Sequence, residues 1–150
     1  MRVLAALALV LAAAAIAGCG DDVEVELVWG GPPTAGPGGA VSTQGFSGFQ
    51  QEVDEDWERS PAMAAAVFLR LDERTAARTT IDAKAGPEGV GDQTVVVTLD
   101  GLADDSVRTE RWTLGFEEAA GGVYALTGAL RELRCHEGRG QQDFAGEACT

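Results

Sequence analysis

The stretch QTVVVTLD, Gln93 to Asp100, constrains the fold more than any other part of the chain. Three valines and two threonines in eight residues suit a pleated, half-buried surface. A short turn, GLADD, separates it from Ser106 to Phe116, in which Trp112, Leu114 and Phe116 share one face opposite Arg111 and Thr113. A turn that short joins antiparallel neighbours, since a parallel partner needs a crossover of a dozen residues or more. Val123 to Cys135 follows after another tight connection. Leu126, Leu130 and Leu133 would also suit a helix, but Gly128 and the short connection favour a long strand, bulged near that glycine. Upstream, Thr80 to Ala85 alternates with Ile81, Ala83 and Ala85 on one face, and GPEGVGD ends it. These segments read as an antiparallel meander.

Helical patterns precede the meander. Ser47-Gly48-Phe49-Gln50 has capping-box spacing, with Ser47 as N-cap, and Phe49, Val53 and Trp57 form one apolar stripe at i, i+4 and i+8. Ser60-Pro61 stops that helix and starts another. Ala62 to Leu71 is apolar almost all round and is expected at the centre of the fold, surfacing where charges return between Arg70 and Arg78. The fold class is α+β, with two N-terminal helices packed on a curved antiparallel β-meander. By element order over Ser47 to Cys135 it resembles the cystatin-like and NTF2-like scaffolds, which implies a cone-shaped space between helix and sheet used for binding or catalysis.

The N-terminus reads as an address. Arg2 precedes an unbroken apolar run of fifteen residues, Val3 to Ala17, shorter than the ~20 that a membrane-spanning helix needs. Ile16-Ala17-Gly18-Cys19 resembles the lipobox of bacterial lipoproteins. The resemblance implies cleavage before Cys19 and acylation of that cysteine, with the lipid bilayer as partner. Several acyl chains at ~0.8 kcal/mol per CH₂ make a stable anchor. The organisation expected is therefore a signal peptide over 1–18, an N-terminal segment and linker over 19–45, and one α+β domain over 46–150. Val23 to Trp29 alternates apolar and acidic residues, as a strand does, but its place beside GGPPTAGPGGAVSTQG favours a disordered stalk. With six glycines and three prolines in sixteen residues, Gly30 to Gly45 is expected to be a flexible linker.

The whole chain has a formal charge of −13, with 24 acidic and 11 basic residues; removing Arg2 leaves 10 bases and a charge of −14. Such a surface is repelled by nucleic acid, which is excluded as a partner, and by anionic lipid headgroups. Asp54, Glu55, Asp56 and Glu58 read as the solvated face of a helix, and Asp100, Asp104 and Asp105 as a polar turn whose spacing departs from an EF-hand loop.

With Cys19 assigned to lipid, Cys135 and Cys149 remain as an even pair in an exported domain, where a disulfide is expected. His136, the one histidine, is adjacent to Cys135, and adjacent strand residues face opposite ways, so a thiol–imidazole couple is disfavoured. Cys135, His136 and Cys149 lack the paired spacing of zinc motifs. GxSxG, SxxK, HExxH and a phosphate-binding glycine loop are absent. No catalytic residue, metal or cofactor is assigned. Between its cysteines the loop carries GRG, where Arg139, with Arg134 and Gln141, could meet an anionic or polar ligand. RCHEGRGQQDF and LDGLADDSVRTERW are similar to a C-terminal pattern in small secreted bacterial proteins, a likeness that transfers no activity.

The reading that follows is an exported, membrane-anchored envelope lipoprotein acting as a non-enzymatic binding or structural module, with an envelope protein or a small molecule as further partner. The alternatives are an NTF2-like small-molecule enzyme, with acids or Trp112 and Tyr124 lining its cavity, and an accessory subunit of an envelope complex.

Overall fold

A computed structural model describes residues 27–86 and 91–150. The expected signal peptide, Cys19 and most of the Val23 to Trp29 segment lie outside the described residues. The architecture is α+β, two helices and a five-stranded antiparallel sheet. In chain order the elements are β1 (Ala40–Val41), α1 (Gln44–Glu52), α2 (Pro61–Phe68), β2 (Ala76–Ala85), β3 (Gln93–Leu102), β4 (Val107–Glu118) and β5 (Tyr124–Cys135). The sheet order is β1-β5-β4-β3-β2, so the last four strands form the expected meander and the short β1 extends it beyond β5.

Period-two burial builds the inner face of the sheet. Val95, Val97 and Leu99 of β3 are buried beside Leu114, Trp112 and Glu110 of β4 respectively. Leu126 of β5 lies opposite Phe116, and the register skips Thr127 there, which puts the bulge immediately before Gly128. Ala64 and Ala65, both fully buried, let α2 approach this face closely, and Phe68 and Leu69 fill the space beside them. Ser60 and Pro61 start α2 as expected, with the Ser60 hydroxyl accepting from the Met63 N–H at 3.4 Å.

Several local expectations are corrected. The first helix starts three residues before Ser47 and ends at Glu52, so Ser47 is internal and Val53 and Trp57 lie beyond it. The Ser47 hydroxyl donates to the Thr43 or Leu126 carbonyl, each at 3.1 Å. Gln50 does not cap its own helix. Its amide donates to the Tyr124 carbonyl at 3.0 Å and accepts from the Leu126 N–H at 3.2 Å, which satisfies strand backbone beside the bulge. The second helix stops at Phe68, before the charged run, because Arg70 adopts a left-handed conformation with φ of 50°. Glu58 is buried rather than solvated; its carboxylate accepts from the Glu55 N–H at 3.0 Å in a short 3-10 turn.

Ile81, Ala83 and Ala85 do occupy one face of β2, yet all three are exposed. The eight-residue α2 touches β2, β3 and β5, but β2 is exposed from Ala77 to Ala85.

The Gly/Pro-rich stretch is laid against the domain rather than hanging free. Trp29 packs on Phe46, Phe49 and Phe68 with ring centroids 5.2, 6.1 and 6.1 Å away. Ala40 and Val41 pair with Leu130 and Ala129. Gly39, with φ of 84°, lies so close to β5 that a Cβ would overlap the Arg131 carbonyl, and one on Gly146 would overlap the Gly38 backbone. Glycine at both positions lets the N-terminal strap and the C-terminal loop touch backbone to backbone.

Candidate functional site

The outer face of the sheet, away from the helices, carries a polar ladder. Cross-strand registers place Arg78 beside Asp100, Asp100 beside Thr109, and Thr109 beside Arg134, while Thr80 meets Thr98. The Thr109 hydroxyl donates to Asp100 at 2.6 Å and accepts from Arg134 Nη2 at 2.9 Å. That hydroxyl bond is the leading reason why the Asp100 carboxyl lies below the ordinary aspartate range, with the Arg108, Arg134 and Arg78 charges adding to it. Phe144 comes over this face from the C-terminal loop, its ring 4.1 Å from the Arg111 guanidinium and 5.2 Å from that of Arg134. Arg78, Thr80, Thr98, Asp100, Thr109, Arg134 and Phe144 enclose a groove of about 200 Å³.

Among the described residues, the buried Nε of Arg134 has no hydrogen-bond partner. The groove thus offers guanidinium donors beside one carboxylate acceptor under an aromatic ring. That combination suits a small polar group able both to donate and to accept, such as an amide.

Of the three residues singled out in the sequence, Arg134 lines this groove from β5. Arg139 lies 3.7 Å from the exposed Asp105 carboxylate and 3.5 Å from the Thr150 carbonyl. Gln141 turns inward, its amide donating to the Glu147 carbonyl at 2.8 Å and to Leu133 at 3.5 Å. Cys135 and Cys149 form the disulfide, with Cα atoms 5.6 Å apart across a separation of 14 residues. Both sulfurs are therefore committed, and the His136 backbone N–H donates to the Ser106 carbonyl at 2.8 Å. Asp104 is an internal turn cap that accepts from the Val107 and Ser106 backbone N–H groups at 2.8 Å, which hold its carboxyl below the ordinary range. No cluster of three or more metal-ligating side chains lies among the described residues.

The disulfide holds the loop that carries Phe144. Replacing both Cys135 and Cys149 with serine is expected to cost about 3 kcal/mol in the chain-entropy account of a loop this long. The measurement is the urea midpoint of oxidised protein against that of the double variant at equal m-value. A shift below about 0.5 kcal/mol would mean that the loop is held by its other contacts alone.

The inner face holds a second polar cluster that sequence reasoning missed. Glu110, 2% exposed, accepts from Arg74 at 2.6 Å, from Arg131 at 3.1 Å and from the Trp112 indole N–H. Burial alone would push its carboxyl up. The two guanidinium groups together outweigh that and hold it below the ordinary glutamate value. Pro32, Pro33, Thr34 and Ala35 of the N-terminal strap close over this cluster and bound a cleft of about 250 Å³. The signal for Glu110 was present in the sequence: it shares the inward parity of Trp112, Leu114 and Phe116. Its partners, 36 and 21 residues away, were not visible from spacing. Family models, curated proteins and solved structures contain no match to this chain.

Proposed function

We propose that the chain is an exported envelope lipoprotein, anchored through an acylated Cys19 to the bacterial cell membrane or outer membrane, whose α+β domain acts as a non-enzymatic binding or structural module. One observation carries the proximity to a bilayer. Leu27, Val28 and Met63 are exposed by 49%, 66% and 54%. Leu27 and Val28 border a mainly apolar hollow with Trp29, Phe49, Ala66 and Val67, which Arg70 and Asp72 also line, and Met63 lies one turn before Ala66 and Val67 on α2. The chain enters the domain at this hollow. Seven residues lie between Cys19 and Leu27, a reach of about 28 Å at most, so an anchor at Cys19 keeps this end of the domain within that distance of the lipid.

The outer-face groove around Arg134 is the binding surface in this reading, with a polar group of an envelope protein or a small molecule as ligand. An accessory subunit of an envelope complex is the same arrangement with a protein ligand. The rival enzymatic reading draws its best candidate from Glu110, whose carboxyl is depressed and occupied by two guanidinium groups. A general acid or base needs a carboxyl raised towards the working pH and within reach of substrate. The finer likeness to the cystatin-like and NTF2-like scaffolds rests on element order, and fold alone transfers no activity.

Two measurements test the proposal. Mass spectrometry of the N-terminal peptide is expected to find lipid on Cys19, and Cys19→Ser to move the protein out of the membrane fraction. An unmodified peptide beginning elsewhere rejects the anchor. Turnover of any envelope substrate by the purified protein rejects the non-enzymatic half.

A further inference from the structure

The two edges of the sheet are treated differently. The β5 edge is closed by the protein's own chain: β1 pairs with Leu130 and Ala129, and Ala145 exchanges backbone hydrogen bonds with Leu133 at 2.7 and 3.1 Å. The Gln141 carbonyl accepts from the Cys135 N–H at 2.9 Å. At the other edge no strand among the described residues pairs with β2 on its outer side. β2 has ten residues without proline, and its ladder to β3 shows no register shift. A long, unbulged edge presents a row of unpaired N–H and C=O groups, which natural sheets usually shorten, bulge or cover.

We propose that β2 is a self-association edge, pairing antiparallel with β2 of a second copy about a twofold axis through Thr80. Charge selects both the occupant and the register. Residues facing each other across an antiparallel pair lie on the same face of the sheet, so a register centred on Thr80 sets Arg78 against Asp82 of the other copy, and symmetry repeats the pair. Ala76 then meets Lys84, Ala77 meets Ala83, and Thr79 meets Ile81, so Ala76 to Lys84 is engaged. Centring on Ile81 instead opposes Arg78 to Lys84, and centring on Asp82 opposes that carboxylate to itself. Centring on Ala83 pairs Asp82 with Lys84 but engages only Ile81 to Ala85 of the strand.

Arg78 and Asp82 are exposed and form no ion pair within 4.0 Å among the described residues, so both are available. In a chain of net charge −13, this strand carries two bases against one acid, which makes it an edge where two copies approach with little repulsion. Ile81, 40% exposed on the inner face, gains a neighbour in the same step.

The test is sedimentation equilibrium of the intact chain in density-matched detergent, up to about 0.1 mM. A monomer–dimer equilibrium is expected for the wild type. Arg78→Asp alone and Asp82→Arg alone each place like charges opposite one another twice and weaken the dimer about tenfold, and the two together restore it. Circular dichroism of each variant checks that the monomer is folded, and the restored double variant shows that the single changes acted through the pairing. A wild type that stays monomeric overturns the proposal. So does a dimer indifferent to both single changes, or a double variant no stronger than either.

Discussion

Glu110→Gln is expected to destabilise the folded chain by about 3 kcal/mol, roughly a 10 °C fall in Tm for a domain of this size. The carboxylate accepts from Arg74, Arg131 and the Trp112 indole at once, from a position almost without solvent. A glutamine of the same shape offers one acceptor oxygen and turns an amide N–H₂ towards groups that only donate. Two guanidinium groups are then left without their counter-charge against the underside of the Pro32 to Ala35 strap, and losing one partner of a buried pair costs far more than the pair contributes net. Changing Glu110, Arg74 and Arg131 together to methionine is expected to recover most of the loss. The pH dependence follows from the direction of the Glu110 shift. Its folded carboxyl lies below the ~4.3 of an unperturbed glutamate, so its contribution is complete above that pH and is lost as pH falls through the depressed folded value. Urea midpoints between pH 6 and pH 2 should therefore fall less steeply for Glu110→Gln than for the wild type. Parallel acid limbs would mean that the carboxyl is not held ionised by its arginines.

What the sequence disclosed follows the range of the interactions involved. β3 and β4 were legible because alternation is a local signal, and the buried faces of Val95, Val97 and Leu99 and of Trp112, Leu114 and Phe116 obey it. The bulge near Gly128 and the Ser60-Pro61 boundary were legible for the same reason. The first helix was misplaced because its N-cap, Thr43, makes no side-chain capping bond, whereas Ser47, which has the spacing of a cap, spends its hydroxyl partly on a carbonyl 79 residues away. Ile81, Ala83 and Ala85 alternate as a buried strand does, but burial also needs a covering layer, and β2 is exposed from Ala77 to Ala85. At the candidate site, Arg134 could be named from the sequence. The groove could not, since β2, β3, β4, β5 and Phe144 converge on it only through sheet register.

The Gly30 to Gly45 stretch shows the limit of composition most sharply, and Trp29→Ala is expected to reveal it with a loss of about 4 kcal/mol. Glycine and proline disfavour long regular elements, but they do not prevent an extended strap from being fixed at its two ends. At one end the Trp29 indole donates to the Phe68 carbonyl at 2.8 Å, satisfying a terminal carbonyl of α2, while its ring joins Phe46, Phe49 and Phe68. Arg70, left-handed just after α2, donates back to the Trp29 carbonyl at 2.6 Å, so the strap also holds the residue that ends the helix. At the other end β1 pairs with β5, and Gly39 lies against Arg131. If the strap were a free linker, Trp29→Ala would change the urea midpoint by no more than an ordinary surface substitution, within about 0.5 kcal/mol. Val28→Ser supplies that comparison, since Val28 is the exposed neighbour on the same segment. A large loss for Trp29 beside a small one for Val28 moves the start of the cooperative unit from Phe46 back to Trp29. It also leaves fewer than ten residues between that unit and Cys19. Equal small losses would return the stretch to a tether and allow the domain to stand away from any surface at which the chain is anchored.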